Sequence, residues 1–307
     1  MAEATLSSVG IDPGAAAASR RHLISRIVIY GLLVLFALVY IVPLFVVVFN
    51  SMRTLPEISQ NGLIAFPRSF HLEGWPQAWS SFCIGGQCEG MQRYFWNSVM
   101  MVVPATIIST MLGALNGYIL SKWRFRGSEV IFGMMLLGVF MPGQIALLPW
   151  AFLLGQIERL TGLDTANSVY GLVLVHCIQG LSFTTLFCRN YFVGIPDDLV
   201  KAARIDGAGF WRIFFKIILP ISPPILIVTV IWQFTGIWNE YLFGVVLNSG
   251  ANQPITSALV ALSLNGTTVR TYDVMSAAVL IGALPPLLVY FFGGKYFVRG
   301  LTQGAIK

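Results

Sequence analysis

Residues 27–49 read IVIYGLLVLFALVYIVPLFVVVF, a run with no charged side chain. A helix needs about 20 apolar residues to cross a hydrocarbon core of about 30 Å, so this run predicts a transmembrane helix. Five further runs have the same character, at about 95–117, 130–153, 168–187, 222–247 and 274–293. In lipid every backbone polar group must be paired internally, which leaves helices or closed barrels. The runs are too long and too evenly apolar for barrel strands of about 10 alternating residues. The expected fold class is an all-α integral membrane protein, a bundle of six transmembrane helices.

Composition agrees with the runs. Of 307 residues 56% are hydrophobic and 10% charged, with a mean hydropathy of +0.75. Soluble domains carry about 25% charged residues, so this chain has too little polar surface for water. The first run follows Arg20, Arg21 and Arg26. It is too long for a signal-peptide core, and no small-residue cleavage site follows it. Residues 1–26 then read as a short disordered cytoplasmic arm, 27–293 as the membrane domain and 294–307 as a cytoplasmic tail.

Lys and Arg set the orientation. With the N-terminus inside, fourteen of the 19 fall in inner segments. The five outer ones are Arg53, Arg68, Arg93, Arg159 and Arg270. Both termini are therefore expected in the cytoplasm. The net charge of +6 is topological and gives no reason to expect nucleic acid. The longest outer loop, about 51–94, carries Pro56, Pro67 and Pro76 among Phe66, Phe70, Trp75, Trp79 and Phe82, which suggests a compact surface.

The most charged stretch is the inner loop at 188–221. Its core with the following turn, 195–224, reads IPDDLVKAARIDGAGFWRIFFKIILPISPP. Pro196, Asp197 and Asp198 make a helix start, with negative charge at the N-terminal end. Gly207 and Gly209 interrupt, and Gly207 permits a close backbone approach or a left-handed turn. An amphipathic stretch follows with Phe210, Ile213, Phe214, Ile217 and Ile218 apolar, until Pro220, Pro223 and Pro224 end it. Helix, tight turn, helix and breaker is the expected order. On these features alone the segment is either a lever for a soluble subunit or an interfacial helix that braces the bundle.

Ala202, Ala203, Gly207, Ile217, Leu219 and Pro220 resemble the EAA loop of binding-protein-dependent ABC importer permeases. Arg204, Asp206, Gly207 and Ala208 match the fuller version in the carbohydrate branch. RYFWNSVMMV (93–102), MPGQIALLPW (141–150), WNEYLFGVVL (238–247) and KYFVRGLTQGAIK (295–307) are also similar to stretches of maltose-type permeases. The resemblance covers about Ile27 to Lys307. It implies a translocation subunit of a sugar importer in a bacterial inner membrane, coupled to an ATPase through 197–220. It further implies a second homologous permease, a dimer of ATPase subunits and an external sugar-binding protein as partners, besides membrane lipid. ATP and Mg would be bound by the ATPase partner, with no cofactor in this chain. The long first outer loop becomes the candidate surface for the binding protein. The coupling residues implied are Asp198, Lys201, Ala202, Ala203, Arg204, Asp206, Gly207 and Ala208. Lys201 stands where the family usually has Glu. Either the ATPase carries a compensating acid, or Asp198 on the same helical face supplies the carboxylate.

Glu240 is the one acid inside a predicted span, and such residues usually face an interior or a cavity. With Gln233, Asn239 and Tyr241 it forms a candidate substrate path, aromatic rings and amides suiting a sugar. The competing reading pairs Glu240 with a neighbouring helix or sets it near the outer interface. Asn116 reads as helix–helix glue. Pro43, Pro104, Pro142, Pro149, Pro285 and Pro286 mark kinks. Cys83 and Cys88 in the outer FCIGGQCEG can bridge or stay free, while Cys177 and Cys188 read as small apolar fillers. No CxxC pair, HExxH, GxSxG or phosphate-binding Walker loop occurs. The chain thus reads as a non-enzyme whose energy comes from a partner. The rival class, an ion-coupled secondary transporter, predicts paired acids and bases within the spans.

Overall fold

The computed structural model describes residues 13–84, 88–264 and 271–305, with side chains described at 22–84, 88–263 and 271–294. Thirteen α-helices occur among the described residues. They are α1 (Pro13–Asn50), α2 (Leu55–Asn61), α3 (Gly74–Ser80), α4 (Gln92–Lys122), α5 (Ser128–Phe140), α6 (Leu147–Thr161), α7 (Val169–Val193), α8 (Asp197–Ile205), α9 (Phe210–Ile213), α10 (Pro223–Trp238), α11 (Leu242–Leu247), α12 (Ile255–Leu264) and α13 (Tyr272–Ala305).

Four segments are long and apolar enough to cross a membrane alone: His22–Asn50, Gln92–Lys122, Val169–Val193 and Tyr272–Gly294. Two bent pairs raise the number to six if each counts as one span. The first corrects the continuous third span expected at 130–153. Pro142 has no N–H to continue a helix and disfavours helical geometry in the residue before it. Met141 is accordingly extended, with φ −74° and ψ 123°, and α5 stops at Phe140. The chain turns through 98° before α6, far more than a kink.

The second pair corrects the fifth span expected at 222–247. The α-helix over 210–213 runs on through a π-helical turn (Phe214–Ile218) and a 3-10 turn (Leu219–Ile221). It then bends by 80° at Ser222 into α10. Pro223 and Pro224 occupy the first positions of α10, where a missing N–H costs nothing. A further break at Asn239–Tyr241 separates α10 from α11. The N-terminal arm is corrected in part: residues 13–26, expected to be disordered, are the first turns of α1, and 1–12 lie outside the described residues.

The centre of the bundle is the α4–α7 pair. Small residues repeat along α4 at Ala105, Ser109, Gly113 and Gly117, all buried. A Cβ on Gly117 would lie 2.7 Å from the Arg189 amide and 2.8 Å from Cys188 Cβ. Such close backbone approach favours association of helices in lipid, where apolar burial alone gives no preference. Hydroxyls and amides tie the same seam. Thr184 Oγ1 donates to Ser109 O at 2.9 Å, and Asn116 Nδ2 to Thr185 Oγ1 at 3.4 Å.

Helix α1 behaves differently. Every described side chain from His22 to Phe45 is exposed, and only its last turns, up to the buried Asn50, approach the bundle. There Arg53 is fully enclosed. It donates to Glu57 Oε1, Asn50 Oδ1, Gly62 O and Glu57 O within 3.0–3.2 Å. This knot gives the loop at 51–94 the compactness its composition suggests. Trp79 and Phe95 pack edge to face at 5.5 Å, and Phe95 on Trp238 at 5.6 Å, joining that loop to α4 and α10. Cys83 and Cys88 form a disulfide in the same loop.

Candidate functional site

The charged loop at 188–221 folds as two short helices on the ends of α4 and α7. Asp197 and Asp198 open α8, where negative charge favours the helix N-terminus. Its other end is a complete Schellman motif. Gly207 N donates to Arg204 O at 3.0 Å, and Ala208 N to Ala203 O at 2.9 Å. Gly207 has φ +79°. A Cβ there would meet nothing within 4 Å. The glycine is thus demanded by the left-handed turn and not by a close neighbour.

The helix has two faces. Val200 and Ala203 are buried in an apolar cluster with Tyr118, Phe192, Ile213, Phe214 and Ile218. Asp198, Leu199, Lys201, Ala202, Ile205 and Asp206 point outward, and Ile205 is 87% exposed. An apolar residue that open, ringed by charges, suits contact with another protein. The two alanines of the motif therefore divide: Ala203 anchors the helix and Ala202 faces out. Lys201 Nζ lies 3.1 Å from Asp198 Oδ1, both exposed. Lys201 thus has a carboxylate within its own helix, although an exposed pair of this kind adds little stability.

Lys122, at the end of α4, reaches under the start of α8. Its Nζ donates to Ile195 O and to Asp197 Oδ1, each at 2.5 Å. Lys122 holds the Asp197 carboxyl below its ordinary range, first by the hydrogen bond and then by its charge. Arg204 Nη2 donates to Lys122 O at 3.2 Å, and its guanidinium lies 4.0 Å over the Trp123 ring. Trp123 Nε1 donates to Tyr118 Oη, which donates to Phe210 O at 3.4 Å. Arg204, expected among the coupling residues, is exposed while lying over Trp123; sequence reading missed Lys122 and Trp123. Their signal was only position, a Lys-Trp pair at the C-terminal end of α4.

The four residues suggested as a substrate path do not converge. Gln233 is buried and donates to Ser109 Oγ at 3.3 Å, bridging α10 and α4. Asn239 is exposed and ends α10. Glu240 sits in the break before α11 and not inside a helix. Its oxygens accept from the amides of Leu242 at 2.6 Å, Phe243 at 3.0 Å and Gly244 at 3.4 Å. It therefore caps α11, and among the described residues no neighbouring helix supplies a partner. Tyr241 O accepts from Val245 N and from Ser257 Oγ. Among the described residues no group of three or more His, Cys, Asp or Glu could hold a metal.

Residues 105–303 match the family described as the binding-protein-dependent transport system inner membrane component. The chain belongs to that family. It is 31% identical over 294 residues to the diacetylchitobiose uptake system permease protein NgcG of Streptomyces coelicolor, covering 95% of this chain and 92% of that one. It is 29% identical to the xylose/arabinose import permease protein XacI of Haloferax volcanii, covering 91% and 93%. Its fold superposes on a chain of a bacterial ABC transporter involved in the import of the acidic polysaccharide alginate. The TM-score is 0.77 at 20% identity, covering 91% of this chain and 98% of that chain. Family membership makes the chain a multi-pass membrane component and removes support from the secondary-transporter reading.

Proposed function

We propose that this chain is the permease subunit of an ATP-driven carbohydrate importer, docking its ATPase through the outward face of α8. The observation that carries the reading is the helix itself. Ala202 of the EAA pattern lies on a helix anchored by Val200 and Ala203, and Gly207 makes the left-handed turn that closes it. The free face joins Leu199, Ala202 and Ile205 with Asp198, Lys201 and Asp206. The sugar class rests on relatives named for diacetylchitobiose and for xylose and arabinose.

In this reading the two bent pairs and four long helices make six spans, with both termini in the cytoplasm of a bacterial inner membrane. A second homologous permease completes the pathway. A dimer of ATPase subunits binds ATP and Mg, and an external sugar-binding protein docks on the first outer loop. Lipid covers much of α1. Loaded binding protein outside and ATP inside open the pathway outward, and hydrolysis reverses it.

Co-purification tests the central step. The chain should bring down an ATP-hydrolysing subunit from its native membrane. Transport that survives deletion of that subunit would overturn the importer reading.

A further inference from the structure

The inner loop is fastened to α4 at three points. Lys122 holds the entry to α8 through Ile195 O and Asp197 Oδ1. Arg204 holds its exit, bonded to Lys122 O and laid over Trp123. Tyr118 holds the second arm, bonded to Phe210 O with its ring 5.1 Å from Phe210 and 5.4 Å from Phe214. Trp123 meets Phe210 edge-on at 5.2 Å. The Lys122 side chain is almost wholly enclosed, at 3% exposure. Burying an ammonium is costly unless it is paired, so this contact resists being opened.

The exit from the loop is fastened to α7, where Tyr191 Oη donates to Ile221 O at 3.1 Å. The chain bends by 80° at Ser222, between a 3-10 turn and two prolines. Ser222 is fully buried, its amide donating to Leu219 O at 3.2 Å and its hydroxyl to Ile218 O, and the two prolines fix φ at the start of α10. A π-helical turn lies just before it, and such turns are frequent at functional sites.

The far end of α4 is tied as firmly. Asn97 Nδ2 donates to Ala251 O at 2.8 Å and to Gln253 O at 3.0 Å, and Ser98 Oγ accepts from Ile255 N at 2.8 Å. From Asn97 to Lys122 the chain is one helix with Pro104 inside it, a length of about 38 Å at 1.5 Å per residue.

We propose that Lys122, Trp123 and Arg204 are positioning residues that lock the inner loop to α4, so that movement of α8 reaches the outer loop at 249–255 through α4. The proposal rests on α8 being the docking helix. It assigns Arg204 to the inner lock and leaves the docking face to Asp198, Lys201, Ala202 and Ile205. Coupling between sites requires an element that both ends bias, and α4 is bonded at both ends.

The test uses the complete complex of permeases and ATPase in lipid nanodiscs. Spin labels at Met100→Cys on α4 and Ile64→Cys on the first outer loop report the outer end. ATP, Mg and vanadate are the probe. With native Lys122 and Arg204 the label distance is expected to shift on trapping. With Lys122→Met and Arg204→Met the ATPase should still co-purify and trap vanadate, but the shift should vanish. Lys122→Arg, which can remake both bonds, should restore it. Lys122→Met alone serves if the double variant does not assemble. An unchanged shift in assembled variants overturns the lock and leaves docking intact. Loss of the ATPase from the variants alone makes these residues part of the docking face and also overturns it. Failure of the native chain to retain an ATPase overturns docking itself.

Discussion

The amide of Ala208 donates to the carbonyl of Ala203 at 2.9 Å, closing α8 over a left-handed Gly207. That bond turns the chain back so that α9 can return to the apolar cluster. An L residue in this conformation costs about 1–2 kcal/mol, with Asn and Asp tolerating it best. Nothing crowds the Cβ position, so the penalty is conformational. Sugar uptake, scored as transport per ATP, should fall in the order Gly207, Gly207→Asn, Gly207→Ala, Gly207→Val. Each variant should still reach the membrane. Equal coupling for Gly207→Asn and Gly207→Val would show that the turn is not needed.

Glu240 offers a second test. Its carboxylate receives three amides at the start of α11. Removing an acceptor that satisfies buried donors costs about 1–3 kcal/mol. Glu240→Ala should lower the melting temperature in detergent. Glu240→Gln, which keeps one oxygen, should lower it less. If Glu240→Ala melts like the native chain but loses uptake, the substrate-path reading regains its place over the cap.

The sequence made some of this legible and hid the rest for physical reasons. Apolar runs of membrane length and the Gly207 turn could be read because each follows from local chemistry. The bends at Met141–Pro142 and Ser222 could not be sized, since a proline says where a helix stops but not which way its successor leaves. Gln233 and Glu240 were read, with Asn239 and Tyr241, as a candidate substrate path along one span. Their separate uses depend on Ser109 from α4 and on a break that composition does not mark. Arg204 fitted a family pattern, but Trp123 beneath it lies far away in the chain.

The α4–α7 seam gives a test with an internal control. A Cβ on Gly117 would press on the Arg189 amide and Cys188, whereas one on Gly133 in α5 would touch nothing within 4 Å. Overpacking a tight contact costs about 1–3 kcal/mol. Replacing an unconstrained helical glycine by alanine gains about 0.5–1 kcal/mol. Gly117→Ala should therefore lower the melting temperature in detergent and Gly133→Ala should hold or raise it. Equal shifts for both would mean that α4 and α7 are not in close backbone contact.

Asp197 should give the inner loop a particular response to acid. Its carboxyl is held below the ordinary value of 3.8 by the hydrogen bond from Lys122 and by that cation's charge. A carboxyl whose folded pKa is depressed stabilises the fold fully above its unfolded value. That contribution fades as pH falls through the depressed one. Asp197 is well exposed, so solvent screening keeps the contribution small. Asp197→Asn should melt slightly below the native chain at neutral pH. The gap should close once the pH drops beneath the folded pKa, because both side chains are then neutral. Lys122 would still hold Ile195 O in both. Melting curves of the two chains across the acid range decide the matter: a gap that persists to the lowest pH would assign the loss to something other than the charged pair.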